Sequence, residues 1–174
     1  MSKADASNAE RAAEHRHLLA IDPGPTESAY LFLYDGKPSG FGMVPNQELL
    51  EMLGCYGDHC LAIEGIESQG MAVGKDVFAT CIWIGRFWQR FGEYSTTLVY
   101  RSQVKMHLCG SMRAKDPNIR QALIDRYGPS KELAIGRKAA TGPLYGISGH
   151  VWSALAVAVT YWDQSEAVLK KHGA

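Results

Sequence analysis

Two short apolar runs in this 174-residue chain each close on a carboxylate: Leu18-Leu19-Ala20-Ile21-Asp22 and Leu61-Ala62-Ile63-Glu64. An ionised acid at the end of a buried strand is costly unless water or a cation reaches it. If the two strands are neighbours, Asp22 and Glu64 meet at one end of a sheet. Carboxylates held that close repel, and a divalent metal is the common reason for such an arrangement. A lone strand-end acid is more often a solvated surface charge; the matched pair raises the metal reading. His150 and Ser153 stand three apart near the start of a last apolar helix, where they share a face and can point to the same sheet end. Alone, His150 reads as a helix-start histidine bonded to backbone. Beside two acids it becomes a candidate ligand.

A second chemical signal is charge. The chain carries 18 Lys/Arg and 18 Asp/Glu, yet Arg101 to Lys138 holds nine basic residues against three acids. A basic third in a neutral protein is the footprint of a polyanion-binding face, although charge alone does not separate it from a pair of solvated helices. The four cysteines (Cys55, Cys60, Cys81, Cys109) show no CxxC spacing and read as free thiols. Cys55, His59 and Cys60 have no second ligand pair at zinc-finger spacing after them, so a zinc reading of that segment is set aside.

The elements that must position these residues follow from periodicity. Hydrophobic residues make up 46 % and charged ones 21 %, the composition of one soluble domain, with no apolar run of membrane-spanning length. Residues 1–17 are expected to be a flexible, polar, Ala-rich tail without a secretory core, which implies a cytoplasmic protein; the folded domain is expected over 18–174. Strands are predicted at 18–22, 28–34, 38–44, 61–64 and 96–100, the first three as an antiparallel meander turned by Asp35-Gly36. Helices are predicted at 46–53 with Asn46 as cap, at 73–91, at about 118–127 and at 147–163, with 138–143 a polar loop. The 73–91 helix is apolar almost all round (Phe78, Ile82, Trp83, Phe87, Trp88), which calls for a second covering surface such as a subunit partner.

Four segments in order, LLAIDPG (18–24), LAIEGI (61–66), SQVK (102–105) and HVWSALAVAV (150–159), resemble the RuvC family of Holliday junction resolvases. KDPNIRQAL (115–123) is more similar to phage-encoded members. The resemblance implies an α/β, RNase H-like mixed five-stranded sheet, its first three strands antiparallel, flanked by helices. It also implies a homodimeric endonuclease that binds four-way DNA junctions and hydrolyses phosphodiesters with two divalent ions, Mg²⁺ or Mn²⁺. By position, Asp22 is the acid between the metals and Glu64 the second ligand. His150 falls where the family has an acid or histidine, while Ser153 replaces its usual last aspartate; Asp116 or Glu67 is a conceivable substitute. Lys105 and Lys115 match the family's phosphate-facing lysines, and with Arg113 and Arg120 make up the expected DNA-binding set. The family's junction-wedging aromatic has no counterpart around Glu67 to Met71, where Met71 is the available side chain.

Two rivals differ in class. An actin-like ATPase opens on a similar strand and turn, but needs a duplicated domain and a second phosphate loop that 174 residues do not supply. A junction-binding dimer with weak or lost cleavage is the reading Ser153 suggests, and a nuclease of broader branched-DNA taste is its catalytic variant. The retention of both Asp22 and Glu64 favours the enzyme.

Overall fold

In the computed structural model, which describes residues 17–67, 70 and 73–172, the chain opens with the expected meander. Strands β1 (His17–Asp22), β2 (Glu27–Tyr34) and β3 (Lys37–Pro45) pair antiparallel in sequence. Strand β4 (Cys60–Gly65) then joins β1 in parallel, and β5 (Thr96–Tyr100) joins β4 in parallel. The order β3-β2-β1-β4-β5 is the mixed five-stranded sheet anticipated from sequence. The sheet begins at His17, one residue inside the expected tail; the rest of that tail and Met71 lie outside the described residues.

Side-chain alternation along β1 and β4 divides the core into two layers. Leu18, Ala20, Cys60 and Ala62 pack under helix α6 (Val151–His172), whose buried Ala154 and Ala158 stand four apart on one face of the helix. Leu19, Ile21, Leu61 and Ile63 pack on the other face under α1 (Asn46–Met52) and α2 (Lys75–Phe91). Helices α3 (Arg101–Cys109) and α4 (Asp116–Tyr127) lean against α6. A short α5 (Lys131–Ala134) follows. Among the described residues no helix is long and apolar enough to cross a membrane.

Several elements differ from expectation for identifiable reasons. Helix α3 escaped the sequence reading because only Val104 of its nine residues is buried, which leaves no apolar stripe. Helix α6 starts at Val151 because Gly149, at φ 51°, holds a left-handed conformation that ends any continuous helix from Ile147. The predicted polar loop at 138–143 contains part of a small hairpin, β6 (Gly136–Arg137) with β7 (Ala140–Thr141). Asn46 is the first residue of α1 and does not cap it. It is buried, with its amide donating to the Gly24 carbonyl (2.9 Å) and its oxygen accepting from Ser28 (2.6 Å).

Candidate active site

Asp22 and Glu64 become neighbours through strand register. The β1–β4 pairing runs from Leu18↔Cys60 to Ile21↔Ile63, and its next step sets Asp22 beside Glu64 at the C-terminal edge of two parallel strands. Both residues share the parity of Ala20 and Ala62, so they stand on the face covered by α6. Buried Asn46 and Ser28 shape the turn that leaves Asp22, because Gly24 donates its N–H to Ser28 (3.2 Å) while its carbonyl accepts from Asn46. Beyond Glu64 the chain needs glycine: a Cβ on Gly65 would lie 2.7 Å from the Tyr100 ring.

The two carboxyl groups share a hydrogen bond, and their side chains are only 14 % and 16 % exposed. Burial pushes the Glu64 carboxyl up to about 7, reinforced by the Asp22 charge and opposed by Arg101. Burial also raises Asp22, against the pull of His150, the hydrogen bond with Glu64, and Arg101. The Nδ1 of His150 lies 3.0 Å from Asp22 Oδ2. His150 reaches it from just ahead of α6, where its carbonyl accepts the N–H of Ser153 (2.9 Å).

A cleft gathers Asp22, Pro23, Glu64, Gly65, Ile66, Glu67, Arg101, Asp116, His150 and Ser153. Four carboxylates, one imidazole and a hydroxyl around one opening form an oxygen-rich donor set that suits Mg²⁺ or Mn²⁺. A raised, hydrogen-bonded carboxyl pair is also the state expected of such ligands when no cation neutralises them.

In the sequence Arg101 is one of nine basic residues in the 101–138 stretch, and the fold makes it part of the lining of this cleft. Its guanidinium lies 3.5 Å from Glu64 Oε1 and is ion-paired with Asp116. The usable signal was register, since Gly65↔Tyr100 pairing brings the residue after β5 next to the end of β4. Glu67, by contrast, is tied to the start of α3, accepting the Ser102 N–H at 3.2 Å.

The expected DNA-binding residues are distributed over the α3–α4 hairpin. Lys105 lies on α3, outside the residues lining the cleft, and Lys115 immediately precedes α4. Arg113 is exposed in the connection between the two helices. Arg120 stacks on Trp152, 4.6 Å from the ring centroid, beside a second hollow that shares Arg101, Asp116 and Ser153 with the cleft. Arg126 is removed from the basic face by a bidentate pair with Asp163 (2.7 and 2.8 Å), which also meets His107.

The carboxyl pair has a consequence for stability in chelator. Folded Glu64 keeps a proton to about pH 7, whereas the unfolded chain releases it near 4.5. The folded state therefore binds more protons in that window, and stability falls as pH rises through it. The loss is about 3 kcal/mol when complete, at 1.36 kcal/mol per pKa unit. Thermal melts in EDTA at pH 5 and 8 are expected to show this loss in the parent protein and a smaller one in Glu64→Gln, where the buried Asp22 still contributes in the same direction. A parent and variant with the same pH dependence would contradict it.

No protein-family model and no curated protein matches the sequence. Solved structures match by fold. RuvC of T. thermophilus in complex with Holliday junction substrate superposes with TM-score 0.61 at 18 % identity, covering 88 % of this chain and 98 % of that one. A Thermus thermophilus RuvC structure gives TM-score 0.59 at 17 % identity, covering 90 % and 96 %. The fold is thus the RNase H-like architecture of RuvC.

Proposed function

We propose that this protein is a metal-dependent, structure-selective endodeoxyribonuclease of the phage RuvC type that resolves four-way DNA junctions in the cytoplasm. The observation that carries the reading is the Asp22–Glu64 pair, set on adjacent parallel strands in a cleft flanked by the basic α3–α4 hairpin. The likeness to a RuvC solved on its Holliday junction supports the substrate class.

Asp22, Glu64, His150 and Ser153 would hold two Mg²⁺ or Mn²⁺ ions, which when bound supply an activated water and stabilise the leaving 3′-oxygen. The chain's own residues do the rest. His150 orients Asp22, and Arg101 holds Glu64 and Asp116 in place while putting positive charge where a phosphate arrives. Asp116 lines the cleft together with Ser153 and supplies the carboxylate that the serine lacks. Lys105, Lys115, Arg113 and Arg120 bind the DNA backbone. Helix α2 leaves Phe78 and Ile82 62 % and 64 % exposed, and a second copy of the chain covers them. That homodimer brings two active sites to the two strands that must be nicked.

The test is incubation with a labelled four-way junction and a matched linear duplex. Paired nicks on the junction alone are expected, faster in Mn²⁺ than in Mg²⁺ because an imidazole ligand shifts preference from strictly oxygen-loving ions. Equal rates in the two ions would remove the role of His150. Nicking of forks and flaps as well would broaden the substrate class. Tight junction binding without cleavage in either metal would make the protein a non-catalytic junction binder, as the serine at 153 would then indicate.

A further inference from the structure

A second cluster of ligating side chains stands at the opposite end of the sheet from the carboxylates. The register that sets Asp22 beside Glu64 also sets His17, the first residue of β1, beside His59, which immediately precedes β4. Both histidines have the parity of Leu19, Ile21, Leu61 and Ile63, so they lie on the α2 face rather than the α6 face. Asp58 bridges them: its Oδ1 is 2.7 Å from His59 Nδ1 and its Oδ2 is 3.9 Å from His17 Nδ1. One donor atom from each of the three lies within 4.8 Å of the other two, the only such trio of His, Cys, Asp or Glu among the described residues.

The 2.7 Å contact is a hydrogen bond and the 3.9 Å one a looser ion pair, so an ion seated among the three side chains would draw them to a common spacing. A tetrahedral ion with bonds of about 2.0–2.1 Å holds its donors about 3.3 Å apart, between the two distances observed. The site is also built. His59 is 6 % exposed, with the rings of Phe32, Tyr34 and Tyr56 at 5.7, 5.7 and 5.2 Å from its own. Its Nε2 lies 3.2 Å from the Tyr34 hydroxyl. In the tautomer that donates Nε2–H to that hydroxyl, the Nδ1 lone pair faces the same point as the Asp58 carboxylate. Such an outer partner is what orients a metal-binding imidazole. Cys60 does not contribute, since it faces the α6 core, and Cys55 is exposed and outside the trio.

We propose that His17 Nδ1, Asp58 and His59 Nδ1 form a second metal site for a zinc-class dication, with water completing the coordination. Two imidazoles and one carboxylate favour Zn²⁺ over Mg²⁺ or Ca²⁺, unlike the oxygen-rich cleft at the far end of the same strands. The ion would tie the start of β1 to the turn that leads into β4, a structural clasp for the central strands. This site does not depend on the nuclease reading.

The test is calorimetric titration of Zn²⁺ into the untagged full-length protein in excess Mg²⁺, paired with thermal melts. One Zn²⁺ per chain is expected at this site, with a rise in Tm that Ca²⁺ does not reproduce. His17→Ala and Asp58→Asn, both at exposed or half-exposed positions, should weaken binding at least tenfold and abolish the Tm rise, while Asp22→Asn leaves both intact. Absence of saturable Zn²⁺ binding would overturn the proposal. So would Zn²⁺ binding that survives His17→Ala and Asp58→Asn, or that disappears only in Asp22→Asn.

Discussion

Asn in place of Asp22 is expected to lower junction cleavage by at least about a thousandfold while leaving junction binding unchanged or tighter. The amide keeps the shape of the side chain but removes the charge, and with it the donor that a divalent ion needs most. Loss of metal-supported transition-state stabilisation is worth several kcal/mol, and each 1.36 kcal/mol is about tenfold in rate. Affinity holds because the substitution removes a negative charge from a cleft that must receive phosphate. Glu64→Gln should behave alike, since the two acids act as one unit across the β1–β4 pair. Within the same cleft, Asp116→Asn should be more damaging than Ser153→Ala, because a carboxylate is the stronger ligand. The measurement is the initial nicking rate on a labelled junction in Mn²⁺, with binding followed separately by gel shift in Ca²⁺. An Asp22→Asn protein that cuts at the parental rate would move the chemistry away from this cleft.

Removal of Arg113, Lys115 and Arg120 together, each to Ala, should flatten the salt dependence of junction binding. Each side chain that neutralises a phosphate contributes about 0.9 to the slope of log K against log salt. The triple variant should therefore lose about three units of slope and fold nearly as stably as the parent, since all three residues are exposed and the contact given up is the Arg120–Trp152 stack. Arg126→Ala is the informative contrast. Its guanidinium already holds Asp163 in a bidentate pair that links α4 to α6, so its loss should lower Tm and leave the slope nearly unchanged. A slope indifferent to the triple change would show that the α3–α4 hairpin is not the DNA-binding face, and one that falls for Arg126→Ala would show that Arg126 leaves Asp163 to meet a phosphate.

Much of this architecture was legible in one dimension. LLAID and LAIE are apolar runs closed by acids, and a buried strand ending in a charge has few physical explanations whatever surrounds it. The meander announced itself through short apolar and aromatic runs and the Asp35-Gly36 turn, and the last helix through its small, apolar residues. These signals are local because each records what one residue or one turn requires of its own surroundings.

Tertiary structure alone decided who meets whom. Arg101 contacts Glu64 from 37 positions away and Asp116 from 15, so no periodicity in either segment records the ion pair. Helix α3 has one buried residue and no stripe to betray it, yet its first residue reaches the cleft. Asn46 looked like a helix cap because caps and buried turn-braces use the same short polar side chains; burial beside Gly24 and Ser28 separates the two roles. The histidines make the same point at the other end of the sheet. His17 and His59 are unremarkable residues in unrelated segments until a single parallel register, chosen by apolar packing on both faces, places them side by side. From sequence one can read the residues that burial makes expensive. Their partners are set by strand register and helix docking, which depend on the sum of contacts across the whole core and on no short stretch of chain.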